Sequence, residues 1–129
     1  MQFGHFDTDN HEYVLDRIDA PQSWTNYLGT KDLASVISHV GGGYSYYKSP
    51  EHGRITRFRQ NTTPPEGPGK YVYLRDEEDG DFWSISWMPV GKKLADEDGP
   101  GATYGAAHGM GYTRFESDYR GIKATQTVF

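Results

Sequence analysis

Cysteine is absent from this 129-residue sequence. Neither a disulfide framework nor a thiolate metal site can therefore form, and nothing in the composition requires an oxidising compartment. The first ten residues contain neither the basic nor the apolar region of a secretory leader, and no later apolar run is long enough to cross a bilayer. These absences predict a cytoplasmic protein with no membrane partner.

Basic residues are also scarce. Thirteen Lys and Arg stand against eighteen Asp and Glu, which gives a formal net charge of -5. Binding to nucleic acid requires a clustered basic excess that neutralises phosphates. A local group of arginines, Arg54, Arg57 and Arg59, is too small to reverse the balance, so a nucleic-acid partner is not expected.

Aromatic residues and turn formers are abundant. Hydrophobic residues make up 35% of the chain, below the usual share, but aromatic residues supply 15% and include ten Tyr and three Trp. These large rings can provide much of the buried area. Sixteen Gly and seven Pro leave little room for long helices and favour short strands joined by turns. The sequence predicts one mainly β domain with few or no helices.

The clearest predicted element is a hairpin over residues 70–88 that turns at Asp79-Gly80. The resulting register pairs Leu74 with Ile85, Val72 with Trp87, Tyr73 with Ser86 and Arg75 with Ser84. The side chains expected on its buried face are Val72, Leu74, Trp83, Ile85 and Trp87. An unpaired charge on this face, as in Ile85→Asp, is expected to be among the most damaging substitutions.

Other segments predict further strands. His11–Arg17 is expected to be a strand, and Leu33–Ser38 is expected to be a strand because of its Val36-Ile37 pair, although periodicity over so short a run also allows a helical turn. Tyr112–Ser117 is expected to pair with Ile122–Phe129 through a turn at Asp118–Gly121. Ala95–Ala107 has the composition of a loop. Because an apolar strand with an open edge invites association, the strand-like run at 124–129 predicts that this chain is the front part of a longer polypeptide.

Short motifs that resemble ligand sites have simpler explanations. Asp7-Thr-Asp9 has the D-x-D pattern of many metal-dependent glycosyltransferases, but it is expected to be a solvated turn. The acidic run Asp76–Asp81 lacks the spacing of a calcium loop and is explained by the hairpin turn. Residues 67–70 lack the glycine and the hydroxyl residue of a phosphate loop.

The five histidines lack the spacing of a helical zinc site, and no Ser lies in a nucleophile elbow. They are His5, His11, His39, His52 and His108. Each is expected to be a strand or turn residue rather than a catalyst, and neither a metal nor a cofactor is predicted.

Three glycines lead into three tyrosines in the segment Gly41–Tyr47. Glycine allows close backbone approach, and tyrosine offers a flat apolar face with a polar tip. This pattern is typical of a loop that contacts a polar, ring-shaped ligand. It is also typical of a strand entry with a packed aromatic cluster, and composition alone favours this second interpretation.

Taken together, five segments resemble the N-terminal part of the inverting disaccharide phosphorylases of glycoside hydrolase family 94, the group of cellobiose, chitobiose and cellodextrin phosphorylases. The matching stretches are 4–7 with 12–15; 24–29; 37–39 with 42–50 and 53–54; 68–76 with 80–87; and 108–112 with 119–122. They follow one another in order along nearly the whole chain. Two departures are His11, where relatives carry arginine, and a longer loop at 95–107 that ends in Ala107 in place of a basic residue.

This resemblance implies that residues 1–129 are the first part of an N-terminal antiparallel β-sandwich domain. An (α/α)6 barrel and a C-terminal domain would follow in a homodimeric enzyme. In that family, inorganic phosphate attacks the anomeric carbon of a β-linked disaccharide with inversion, while one aspartic acid protonates the leaving oxygen. Because phosphate is already a nucleophile, no second carboxylate is required.

The general acid and the phosphate ligands of such enzymes lie in the barrel, so the resemblance implies no catalytic residue in this chain and predicts that the chain alone is inactive. The family's N-terminal domain leans over the active site of the neighbouring subunit. Tyr44 and Tyr47 are therefore candidates for the rim of the sugar site, where they would stack on or hydrogen-bond to the substrate.

Two other functions fit the same composition. The chain could be a stand-alone carbohydrate-binding β-sandwich module without catalysis, or an interface domain that contacts no ligand. The sequence does not distinguish which disaccharide a parent enzyme would cleave.

Overall fold

A computed structural model of the protein describes residues 2–56, 68–95 and 99–129. Within these ranges the chain forms ten β-strands and no helix, which confirms the predicted mainly β fold. In chain order the strands are β1 (Gly4–Asp7), β2 (Glu12–Leu15), β3 (Thr25–Gly29), β4 (Leu33–Ser38), β5 (Gly43–Tyr47), β6 (Tyr73–Arg75), β7 (Phe82–Ser84), β8 (Thr103–Gly109), β9 (Tyr112–Tyr119) and β10 (Ile122–Val128).

Two antiparallel sheets enclose the core. One sheet has the strand order β1-β2-β8-β9-β10, and the other has the order β3-β4-β5. In the first sheet Leu15 lies opposite Ala106, which lies opposite Phe115, and all three are buried. Leu28 and Ile37 from the second sheet belong to the same buried cluster. The core therefore lies between the sheets, as expected for an antiparallel β-sandwich.

The central strand β8 corrects the prediction that Ala95–Ala107 is a loop. Thr103–Gly109 pairs with β2 on one side and with β9 on the other. Its glycine and alanines resemble loop composition, but small residues also suit a strand crowded by two neighbours, where Ala106 and Ala107 are each 4% exposed. Residues 96–98 of the predicted loop lie outside the described ranges.

The predicted hairpin over residues 70–88 exists, but its register was wrong by two residues. Leu74 lies opposite Trp83 instead of Ile85, and Arg75 lies opposite Phe82. The cause is a longer turn, because the Asp76 amide donates to the Asp81 carbonyl at 2.7 Å and the Gly80 amide donates to the Asp76 carbonyl at 2.9 Å. A shift of two residues leaves every side chain on its predicted face.

The two faces of this hairpin are buried differently from the prediction. Trp83 and Ile85 are buried as expected, whereas Val72 is 43% exposed. Ser84 and Ser86, which were expected on a polar outer face, are almost fully buried. The chain after β7 supplies the reason, because the Ser86 hydroxyl donates to the Met88 carbonyl at 2.8 Å.

Other predicted elements keep their positions with changed ends. Leu33–Ser38 is confirmed as the strand β4. The predicted strand at 11–17 is shortened to β2, and it begins after His11 because His11 adopts a left-handed turn conformation with φ of 56°. The pairing of the last two strands is confirmed, but β9 extends to Tyr119. The turn contracts to Arg120-Gly121, where φ is 56° and 76°. The strand β1 was not predicted.

Candidate functional site

The glycines before β5 allow close backbone contact. Gly41 and Gly43 have φ of 91° and 151°, and a Cβ on Gly43 would lie 1.9 Å from the Val36 carbonyl oxygen. The Ser38 amide donates to the Gly42 carbonyl at 2.7 Å, which closes the turn between β4 and β5. These glycines therefore serve the turn into β5, in agreement with the strand-entry interpretation.

The candidate rim residues Tyr44 and Tyr47 lie on opposite faces of β5. Tyr44 is paired with Val36 and Tyr47 with Leu33. Because side chains alternate along a strand, residues three apart point to opposite faces. The structure thus does not bring the two tyrosines onto one surface.

Tyr44 is half-buried and its ring is partly covered. The Tyr46 ring lies 6.0 Å from it, and the Arg54 guanidinium carbon lies 5.4 Å above its centroid. A guanidinium at this position is attracted to the negative face of the ring in a cation–π interaction. Stacking of a sugar on that face would require Arg54 to move.

Tyr47 is 49% exposed at the end of β5. The chain beyond it returns in a tight loop, because the Tyr47 amide donates to the Gly53 carbonyl at 2.8 Å and the Gly53 amide donates to the Ser49 carbonyl at 2.8 Å. The Lys48 ammonium lies 5.1 Å from the Tyr47 ring centroid. Tyr47 therefore offers an accessible ring beside a cation.

Two hydroxyl groups and a lysine lie beside Tyr47, on the face of the sheet that also carries the core residues Leu28 and Ile37. Ser35 and Ser45, on the same face of the sheet as Tyr47, share a hydrogen bond of 2.7 Å. The half-buried Lys70 ammonium donates to the Ser45 hydroxyl at 2.9 Å. Because Ser45 is only 9% exposed, the accessible groups are Tyr47, Lys48 and the half-buried Lys70, which we call the β5 surface. Its ring and cations can bind sugar hydroxyls or an anion, and none of these three side chains can act as a carboxylic acid.

A second concave region was missed by sequence reasoning. Phe6, Tyr27 and Met110 are 78%, 71% and 88% exposed, and they border a groove of about 520 Å³. Phe6 contacts Tyr13 edge to face at 5.0 Å, and Tyr13 stacks on Trp24 at 5.2 Å. These residues come from four separate segments, so no local pattern in the sequence could have identified the groove.

Polar side chains join the two sheets beside this groove. The Asn26 amide group on β3 donates to the Gly109 and Tyr112 carbonyls, each at 2.9 Å. His39 and His108 both hydrogen-bond to the backbone of Trp24. Burial is the main cause that lowers the pKa of each imidazole. We call Trp24, Asn26, His39, His108 and Thr113 the cross-sheet seam.

The acidic motifs have structural partners. The Asp7 carboxylate accepts from the Asp9 and Asn10 amides, which confirms the predicted turn, and the Asn10 side chain is the main cause that lowers the pKa of Asp7. In the acidic hairpin turn, Asp79 pairs with Arg120 at 2.7 Å. Among the described residues, no group of three or more His, Asp or Glu side chains is arranged to hold a metal ion.

The described part of the chain contains no helix with the length and apolarity needed to cross a membrane.

The two packed sheets define a β-sandwich domain. The chain belongs to the glycosyl hydrolase 94 family, because residues 11–129 match the model described as "Glycosyl hydrolase 94, supersandwich domain". This confirms the resemblance drawn from the five sequence segments.

Relatives of this chain include enzymes that are named for disaccharides. It is 55% identical over 129 residues to the N,N'-diacetylchitobiose phosphorylase of Vibrio furnissii, covering 100% of this chain and 15% of that protein. It is 36% identical over 135 residues to the solabiose phosphorylase of Paenibacillus borealis, covering 98% of this chain and 16% of that protein. The chain thus spans about one sixth of the length of these relatives.

Proposed function

We propose that this chain is the N-terminal part of an inverting disaccharide phosphorylase that cleaves a β-linked disaccharide with inorganic phosphate. The observation that carries the proposal is the 55% identity to an N,N'-diacetylchitobiose phosphorylase along the whole chain. The products would be an α-sugar 1-phosphate and a free sugar. N,N'-diacetylchitobiose is the first substrate to test, because identity to the solabiose enzyme is lower at 36%.

The proposal assigns binding, rather than bond cleavage, to these residues. The parent enzyme would be a cytoplasmic homodimer that needs no cofactor besides its co-substrate phosphate, with its general acid in a downstream barrel. The β5 surface supplies donors and a ring without a carboxylic acid, which suits the rim of a sugar site. The 129-residue chain alone is accordingly expected to release no sugar phosphate.

The direct test is the activity of the full-length protein encoded by the gene. Purified protein would be incubated with phosphate and either N,N'-diacetylchitobiose, cellobiose or solabiose, and the sugar 1-phosphate and its anomeric configuration would be measured. Formation of an α-sugar 1-phosphate from one of these substrates supports the proposal. Hydrolysis without phosphate incorporation, or no reaction with any disaccharide, contradicts it.

The rim assignment needs a separate variant. Tyr47→Ala in the full-length enzyme is expected to raise KM for the disaccharide, because Tyr47 is accessible and lies beside Lys48. Tyr73→Ala is a matched control, since Tyr73 is 53% exposed on β6 outside the β5 surface. An unchanged KM with a lowered melting temperature for Tyr47→Ala would assign Tyr47, like Tyr44, to packing.

A carbohydrate-binding module without catalysis is the second candidate function. The exposed aromatic rings of Phe6 and Tyr27 beside an open groove favour it, because such rings stack on sugar faces. Calorimetric titration of the 129-residue chain with the same disaccharides separates the two functions. Binding by the chain alone, combined with no phosphorolysis by the full-length protein, would favour the module.

A further inference from the structure

Both backbone polar groups of Trp24 are held by histidines from different parts of the fold. The Trp24 amide donates to His39 Nδ1 at 3.2 Å, and His108 Nε2 donates to the Trp24 carbonyl at 3.1 Å. His39 follows β4 in the three-stranded sheet, whereas His108 lies within β8 of the five-stranded sheet. The backbone of one residue thus connects the two sheets.

These contacts determine where each imidazole carries its proton. An amide can only donate, so His39 Nδ1 must be unprotonated, and its Nε2 then donates to the Ile18 carbonyl at 3.0 Å. A carbonyl can only accept, so His108 Nε2 carries the proton. His108 Nδ1 then accepts from the Thr113 hydroxyl at 3.0 Å. Both rings are neutral in this arrangement.

A second proton has no acceptable place on His39, because a proton at Nδ1 would face the Trp24 amide proton. On His108, a proton at Nδ1 would face the Thr113 hydroxyl, which can turn and accept it beside the 3.3 Å hydrogen bond from the Asn26 side chain. Protonation would therefore break the Trp24 amide contact at His39, whereas at His108 it is opposed by burial.

The groups around the two rings offer no compensating negative charge. His39 faces the Ile18 carbonyl and the backbone of Trp24, and a protonated His39 would repel a proton on His108. Tyr13 of β2 lies opposite His108, and Thr113 comes from β9. Glu12 occupies the other face of β2, where it pairs with Arg114 at 2.8 Å. Among the described residues, no carboxylate forms an ion pair with His39 or His108.

Burial lowers the pKa of both imidazoles and outweighs the hydrogen bonds to the Ile18 and Trp24 backbone, which raise it. His39 is 2% exposed, and burial is the main cause that lowers its pKa below the ordinary 6.5. Burial also lowers the pKa of His108, and the charge of a protonated His39 lowers it further. Since the folded values lie below the unfolded value, the contribution to stability is present above pH 6.5. It is lost as the pH falls through the folded values.

We propose that His39 and His108 form an acid-sensitive latch, which holds the Trp24 amide between the two sheets at neutral pH and releases that amide in mild acid. The Trp24 carbonyl keeps its hydrogen bond of 2.8 Å from the His39 backbone amide, so the change is confined to the Trp24 amide and the cross-sheet seam around it. The latch does not depend on the proposed enzymatic activity, because its parts lie within this chain.

Amide hydrogen exchange of the full-length protein tests the latch. The protection factor of the Trp24 amide, corrected for the intrinsic effect of pH, would be measured from pH 7.5 to pH 5. We expect a loss of about tenfold per pH unit below the unfolded pKa while His39 stays neutral in the folded state. The Gly80 amide, which donates to the Asp76 carbonyl at 2.9 Å and not to a histidine ring, should keep its protection.

Variants separate the latch from general acid sensitivity. A glutamine side chain can accept and donate without titrating, so His39→Gln combined with His108→Gln should make Trp24 protection independent of pH. His52→Gln is the matched control, because the His52 side chain is 81% exposed, and it should behave like the wild type. Constant protection of wild-type Trp24 down to pH 5, or an unchanged pH dependence in the double variant, would overturn the latch.

A titration of the wild type keeps the test decisive if the double variant does not fold. Imidazole protonation would be followed by NMR in protein labelled only at histidine. Loss of Trp24 protection that increases while folded His39 is neutral and levels off once His39 is protonated supports the latch. Loss that levels off once the exposed histidines are protonated, or that continues unchanged after His39 is protonated, overturns it.

Discussion

The Glu12 carboxylate lies 2.8 Å from the Arg114 guanidinium, although only 2% of Glu12 is exposed. The Tyr112 hydroxyl donates to the same carboxylate at 2.6 Å. A buried carboxylate persists only where donors replace its lost water. The outer face of the five-stranded sheet therefore contains a carboxylate whose stability depends on two neighbours from β9.

Removal of the guanidinium is expected to destabilise the protein. Arg114→Met leaves Glu12 with one donor fewer. We expect the free energy of unfolding to fall by about 2 kcal/mol. This is less than the full cost of breaking a buried ion pair, because Arg114 is partly exposed. Denaturant unfolding measures this change. Glu116→Gln is the control, since Glu116 also pairs with Arg114 but is 57% exposed, and it should cost less than about 0.5 kcal/mol. Equal effects of the two variants would contradict the special role of Glu12.

Gly43 should tolerate alanine less well than Gly111. Both glycines have positive φ, so each Gly→Ala variant adopts a strained backbone at a cost of about 1 kcal/mol. Only at Gly43 does the added Cβ meet a backbone atom, because Gly111 has nothing within 4 Å of that position. Thermal unfolding of both variants should show at least twice the loss for Gly43→Ala. Similar losses would mean that the turn before β5 moves to accept the methyl group.

Ile85 and Val72 should differ in sensitivity although both were expected on one buried face. Ile85 is 5% exposed and belongs to the core cluster, whereas Val72 is 43% exposed. Ile85→Ala is expected to cost about 3 kcal/mol. Val72→Ala should cost less than about 1 kcal/mol. A comparison of the two denaturant midpoints checks the difference, and a larger loss for Val72→Ala would contradict the burial of Ile85 and the exposure of Val72.

Arg120 should stabilise the contact between two hairpins in a pH-dependent way. Its guanidinium lies 2.7 Å from Asp79 and 3.2 Å from Asp76 in the turn between β6 and β7. Arg120→Asn keeps a residue that tolerates the left-handed conformation but removes these ion pairs. The melting temperature at pH 7 is expected to fall, and high salt should reduce the difference from the wild type.

The pKa of Asp79 predicts how the stabilisation by Arg120 changes in acid. The Asp81 amide is the main cause that lowers the pKa of Asp79, and Arg120 is the second. Since the folded pKa lies below the ordinary 3.8, the stabilisation is present above that value and is lost as the pH falls through the folded pKa. The difference between wild type and Arg120→Asn should therefore shrink below pH 3.8. A difference that stays constant into acid would exclude the ion pairs as its cause.

Elements with a local signature were predictable from the sequence. The apolar run Leu33–Ser38 and the strand pair around Arg120-Gly121 could be predicted, because hydrophobic pattern and turn residues lie within the same short window. The strand β8 could not, since the three small residues Gly105, Ala106 and Ala107 carry no strand signal until β2 and β9 flank them. The hairpin register failed for a similar reason, because backbone bonds of Asp76 select a longer turn than Asp79-Gly80 alone suggests.

The candidate sites depended even more on spatial arrangement. Tyr44 and Tyr47 were predictable as a tyrosine cluster, but their separation onto two faces follows from the pairing of β5 with β4. The histidines of the latch are 69 positions apart in the sequence, and only the packing of the two sheets brings both rings to Trp24. No spacing rule links such residues.

The pairing of β2 with β8 sets the order in which this domain can assemble during synthesis. Residues 12–15 pair with residues 4–7 in a local hairpin, but their second neighbour lies at 106–109, so this hairpin must wait while most of the chain emerges from the ribosome. Closing so long a connection costs conformational entropy before the stabilising contacts between the strands form, which makes the sheet slow to complete. During that interval one edge of β2 is open, and a chaperone that shields it would raise the yield of folded protein.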